Sequence, residues 1–123
     1  ILARIVESAI GQTLADYIEE NIFTPLDIND YNLDLFDGAS GLEISPDGYY
    51  RFCKLILDRG KIGDTPLISW KKLRLAFKPP KFARKQTNFY GLGWHVEVDP
   101  KSRKQVLMLS HNGRGDTTYS FLK

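Results

Sequence analysis

The chain has 123 residues, a formal net charge of +2 at pH 7, 42% hydrophobic and 26% charged residues, the balance of one ordinary globular domain. No apolar run approaches the roughly 20 residues that a membrane-crossing helix needs. The single Cys53 excludes an internal disulfide and a cysteine-based zinc site.

The sequence opens directly at Ile1 in helical rhythm, with neither an initiator Met nor a basic-then-apolar leader. Such a start reads as a cut through a larger protein, and it leaves localisation unreadable. Apolar residues at positions 2, 5, 6 and 9 predict a first helix, which Gly11 is suited to cap. Thr13 followed by Asp16 predicts the start of a second helix carrying Leu14, Tyr17, Ile18 and Ile22, stopped by Pro25. Residues 27–40 have no period and are rich in Asp, Asn and Gly, so they read as a long loop of the kind that often lines a site.

Ser45-Pro46-Asp47 is a strong helix start: a cap, a proline at the first position and an acid near the positive dipole end. That third helix carries Tyr49, Phe52, Cys53, Ile56 and Leu57 and ends before Gly60, with Cys53 expected as a small buried hydrophobe. A short connection leads to Ser69, which caps a helix bearing Trp70, Leu73, Ala76 and Phe77, ended by Pro79-Pro80. The period then changes to two. Tyr90 to Val98 reads as one half-buried strand with His95 half-exposed, Asp99 to Ser102 as a turn, Gln105 to Ser110 as a second strand, 111–116 as a loop and Thr117 to Leu122 as a third strand.

Helices first and an antiparallel three-stranded meander after them make an α+β architecture. We expect one partial domain, with a mainly helical region over 1–85 and a sheet region over 86–123. A three-stranded sheet needs a covering layer, so the chain alone is expected to leave apolar surface or strand edges exposed and to self-associate.

Charge is unevenly spread. Lys71, Lys72, Arg74, Lys78, Lys81, Arg84 and Lys85 cluster, while Asp27, Asp30, Asp34 and Asp37 fall in the long loop. No nucleic-acid module accompanies the basic cluster, which reads as a solvated helix face and its following loop, so no nucleic-acid partner is expected. Two histidines with scattered carboxylates do not make a metal site. The densest polar point is Ser110-His111-Asn112-Gly113-Arg114-Gly115, where an apolar strand delivers a histidine, an amide and a glycine to one place.

Three ordered signals resemble one family. They are residues 1–26 (Ile-Leu-Ala-Arg-Ile-Val-Glu, then Gly11-Gln12, Leu14, Tyr17-Ile18, Glu20-Asn21-Ile22-Phe23 and Pro25-Leu26), the run Gly41-Leu42-Glu43-Ile44-Ser45-Pro46-Asp47 entering a helix with Phe52, and Tyr90-Gly91-Leu92-Gly93-Trp94 followed by a strand to His111-Asn112-Gly113. In this order and spacing they resemble the serine β-lactamase and D,D-peptidase superfamily, in its class C β-lactamase-related branch. That family uses Ser-x-x-Lys, then Tyr-x-Asn, then Lys/His-Thr/Ser-Gly on a sheet strand, and the third has its counterpart here.

The resemblance implies that His111 polarises the site and meets a substrate carboxylate. It implies that Gly113 lets substrate approach the strand and that the Arg114 backbone N–H supplies one oxyanion-hole donor. Asn112 stands where the family has a hydroxyl residue and would bind substrate through its amide. Ser69-Trp70-Lys71-Lys72 also fits Ser-x-x-Lys, but its position matches an ordinary family helix, so Ser69 reads as a cap.

The chain is therefore expected to be the C-terminal portion of a serine hydrolase acting on a β-lactam, D,D-peptide or ester. It would be inactive by itself, would need no cofactor or metal, and would be partnered by substrate and by the N-terminal portion of the same fold. The alternative is a non-catalytic relative that binds cell-wall peptide or a protein. The resemblance also points to an extracytoplasmic, bacterial setting.

Overall fold

A computed structural model describes residues 1–34, 36–112 and 117–121. The chain divides into two compact units, Ile1–Leu55 and Ile56–Lys123, with the boundary inside a helix.

In the first unit, helix α1 (Leu2–Ile10) is closed by Gly11 in the left-handed conformation, its N–H donating to the Glu7 carbonyl. Helix α2 (Leu14–Ile18) starts as the sequence predicts: the Thr13 hydroxyl accepts from the Asp16 N–H and fills one of the open donors of the first turn. The Glu7 carboxylate accepts from the Leu14 N–H at 3.1 Å, which ties the two helices together. A wider turn over Glu19–Phe23 continues α2, marked by the Thr24 N–H bonding five residues back to Glu19.

The loop expected over 27–40 contains a short strand β1 (Tyr31–Asn32), paired antiparallel with β2 (Glu43–Ile44). Ser45 then accepts from the Gly48 N–H at 3.1 Å and opens α3 (Pro46–Leu57). Phe23, Leu26, Ile28 and Leu55 are buried here. None of α1 is: Leu2 is 79% and Ile5 59% exposed.

The second unit begins with the end of α3. A hairpin of β3 (Lys61–Ile62) and β4 (Thr65–Pro66) turns at Gly63-Asp64, where only a connection was expected. Helix α4 (Trp70–Leu73) continues as a 3₁₀ turn over Arg74–Phe77, and a further 3₁₀ turn spans Lys81–Ala83.

The sheet is antiparallel, as expected, but has four strands: β5 (Asn88–Tyr90), β6 (His95–Val98), β7 (Val106–Asn112) and β8 (Thr117–Phe121), in that order. The run 90–98 is two strands rather than one. Gly91 to Trp94 is a tight turn, closed by the Gly91 N–H donating to the Trp94 carbonyl at 2.7 Å, so that Tyr90 pairs with His95. Phe89, Val96, Val98 and Leu109 form the buried face, with Val96 and Leu109 fully enclosed, and Phe77 and Ala83 add to this core. Asp99 makes the next turn by accepting from the Ser102 N–H at 2.6 Å. Cys53, expected buried, is half-buried. Among the described residues no helix is long and apolar enough to cross a membrane.

Candidate functional site

Strand β7 runs two residues further than the sequence suggests. His111 and Asn112 are therefore strand residues, paired with Thr118 and Thr117 of β8, rather than part of a loop. Ser110, the residue before them, is paired on both sides, with His95 of β6 and Tyr119 of β8.

The His111 imidazole is exposed, and one of its nitrogens is engaged: Nδ1 lies 3.0 Å from the Gly93 carbonyl oxygen. A carbonyl can only accept, so Nδ1 is the donor of this hydrogen bond. Nε2 is then the atom left for chemistry.

The partner carbonyl sits in the 91–94 turn, which is itself fixed by close backbone contact. The Leu92 N–H donates to the Ala76 carbonyl at 2.9 Å. A Cβ on Gly91 would lie 2.2 Å from that same oxygen, so only glycine fits. Gly93 has φ of +81°, a left-handed conformation that glycine adopts without cost. Trp94 packs edge-on against Phe77 at 6.2 Å between ring centres, and Phe77 in turn against Trp70 at 6.2 Å. The turn that orients His111 is thus held by a main-chain hydrogen bond and an aromatic ladder.

The Gly93 carbonyl was missed as a functional group. The Gly-Leu-Gly-Trp run signals a turn by breaking the two-residue period, but not that a carbonyl of that turn bonds His111.

Of the residues singled out from sequence, His111 stands at this point with its ring anchored. Asn112 is placed by its backbone next to it. Gly113 and Arg114 lie outside the described residues. Ser69, exposed, caps α4 by accepting from the Lys72 N–H at 3.4 Å, so its hydroxyl serves the helix start. A second match to Ser-x-x-Lys begins at Ser120 in β8, and its lysine, Lys123, lies outside the described residues. His95 stacks edge-on against Tyr90 at 4.8 Å between ring centres. No group of His, Cys, Asp or Glu suited to a metal occurs among the described residues.

One solved structure gives this arrangement a context: a protein described as "putative beta-lactamase from Bacteroides dorei DSM 17855" superposes with a TM-score of 0.75 over 97% of this chain at 20% identity. The fold is β-lactamase-like. This chain spans 43% of the length of that neighbour. No family model matches the sequence, and no curated protein matches it. The β-lactamase-like fold thus rests on three-dimensional likeness, and it contains β7, the strand that carries His111.

Proposed function

We propose that the chain is the C-terminal portion of a serine hydrolase of the class C β-lactamase-related branch, and that it supplies one wall of an acyl-transfer site. The observation that carries the reading is His111, anchored through Nδ1 near the end of a central strand in a β-lactamase-like fold, with no partner to Nε2 among the described residues. In the intact enzyme a serine oxygen attacks the carbonyl carbon of a β-lactam, D,D-peptide or ester. The bond to the leaving group breaks as that group takes a proton, and water then cleaves the acyl ester and restores the serine. By the resemblance, Gly113 would admit substrate to the strand, the Arg114 N–H would supply an oxyanion-hole donor, and Asn112 would bind substrate through its amide. On this reading the nucleophile and its base belong outside residues 1–123, which the capping role of Ser69 at α4 supports.

The anchored tautomer makes a specific demand. With Nδ1–H donated to Gly93, Nε2 can donate to a substrate carboxylate only as imidazolium.

Steady-state assays with nitrocefin and a p-nitrophenyl ester test the reading. The 123-residue chain should turn over neither, whereas the intact protein should turn over at least one and lose about 10²-fold in kcat/KM on His111→Ala. Turnover by the chain alone that is abolished by Ser69→Ala would overturn it. An intact sequence without Ser-x-x-Lys and Tyr-x-Asn ahead of Ile1 would leave a non-catalytic relative that binds cell-wall peptide or a protein.

The exposed apolar residues Leu2, Ile5 and Val6 of α1, with Ile1 just before it, support the same proposal. They form a face that the N-terminal portion of the fold would cover, or that self-association would cover in its absence.

A further inference from the structure

Residues 65–96 contain seven Lys and Arg and no Asp or Glu. All seven (Lys71, Lys72, Arg74, Lys78, Lys81, Arg84 and Lys85) are exposed, and no ion pair neutralises any of them among the described residues. Within this stretch, Phe82 is 88% exposed, the most exposed aromatic ring among the described residues.

A single exposed apolar side chain is ordinary in itself. What distinguishes Phe82 is how it is held and what surrounds it. It sits in the middle of the 3₁₀ turn Lys81–Ala83. The Ala83 N–H bonds the Pro80 carbonyl at 3.0 Å, and the Gln86 N–H bonds the Ala83 carbonyl at 2.9 Å. Ala83 is only 1% exposed, so the turn is pinned on its inner side. Pro79 and Pro80 stiffen the approach. The ring is therefore displayed outward from a fixed turn, with Lys78, Lys81, Arg84 and Lys85 within four residues of it in the chain.

We propose that this turn is a peripheral membrane-docking site, with Phe82 entering the headgroup–acyl boundary of an anionic lipid surface and the flanking cations meeting the lipid phosphates. An exposed apolar side chain flanked in the chain by four cations has the composition of an interfacial anchor. A protruding ring needs a partner that deforms around it, and a bilayer interface does so without a preformed pocket. Single-stranded nucleic acid instead favours a row of aromatic platforms along a charged groove, and one isolated ring does not provide it. The site is independent of the acyl-transfer reading, since it uses none of the residues near His111.

Co-sedimentation of the full 123-residue chain with vesicles tests the proposal. The chain should bind phosphatidylcholine vesicles containing phosphatidylglycerol, should not bind pure phosphatidylcholine, and should be released by high salt. Phe82→Ser should weaken binding about tenfold, and Lys81→Glu with Lys85→Glu should weaken it by about tenfold or more. Phe82→Leu should retain most of the affinity. Circular dichroism should match wild type for all three, because the changed side chains face solvent. No binding to the anionic vesicles at low salt would overturn the proposal. So would unchanged binding by Phe82→Ser, or tighter binding to single-stranded DNA or polyglutamate than to the vesicles.

Discussion

Replacing Gly91 with alanine isolates the contact on which the orientation of His111 depends. The added Cβ would meet the Ala76 carbonyl oxygen at 2.2 Å, the Ala76 carbonyl carbon at 3.3 Å and Val96 Cγ2 at 3.5 Å. The first contact is with main chain, which cannot rotate away, so the turn must lift by about 1 Å to restore an ordinary C–O separation. That movement stretches the 2.9 Å bond from the Leu92 N–H to the same oxygen beyond hydrogen-bond range. Overpacking of about 1–3 kcal/mol plus about 1 kcal/mol for the lost bond gives a destabilisation of about 2–4 kcal/mol. Gly93→Ala is the internal control. Its Cβ meets nothing within 4 Å and its cost is the left-handed backbone alone, about 1–2 kcal/mol. Urea denaturation followed by tryptophan fluorescence measures both. Because the Gly93 carbonyl holds His111, the Gly91 variant should also shift the His111 ring resonances in NMR spectra, even where the chain remains folded. A Gly91→Ala protein within 0.5 kcal/mol of wild type, or less destabilised than Gly93→Ala, would refute the account of the turn.

Other consequences follow from single groups. Gly60→Ala should be more destabilising than Gly63→Ala: both have positive φ, but a Cβ at Gly60 would meet the Ile68 carbonyl oxygen at 2.1 Å while Gly63 faces open space; denaturation midpoints compare them. The carboxyl of Asp99 is held below the usual range, first by the Ser102 N–H and then by the Ser102 hydroxyl. Its folded form is thus favoured when ionised, so its contribution to the 99–105 turn is present above the unfolded Asp value and lost as pH falls through the lower folded one. The Ser102 amide resonance should follow that titration and cease to do so in Asp99→Asn. Tyr31 ionises above its ordinary value, first through burial and then through its hydrogen bond to Glu19; its contribution is present at neutral pH and lost as pH rises through the raised value. Ultraviolet titration should show Tyr31 ionising at lower pH in Glu19→Gln than in wild type.

Local capping chemistry made much of this fold legible in the sequence. Thr13, Ser45 and Ser69 each accept a backbone N–H at a helix start, and Gly11 closes α1 in the conformation for which glycine is preferred. The α+β order and the antiparallel sheet were equally readable from the change of period. The division of the 90–98 run into two strands is hidden in an alternating pattern that includes Gly91 and Gly93, because the turn they form is set by Ala76, a contact distant in sequence. The two-residue strands β1 to β4 are too short to show a period at all. Within the site, the position of His111 was legible as the end of an apolar run. The identity of its ring partner was not, because a main-chain carbonyl carries no residue-type signal.

The acyl-transfer reading meets its most direct test in the covalent intermediate. Intact protein incubated with a β-lactam or an activated ester, then quenched, digested and examined by mass spectrometry, should carry the acyl group on a serine outside residues 1–123. The rate of that acylation should fall about 100-fold in His111→Ala. An adduct on Ser69, an adduct formed equally fast without the imidazole, or no adduct with either reagent would contradict the assignment of His111 to an acyl-transfer site.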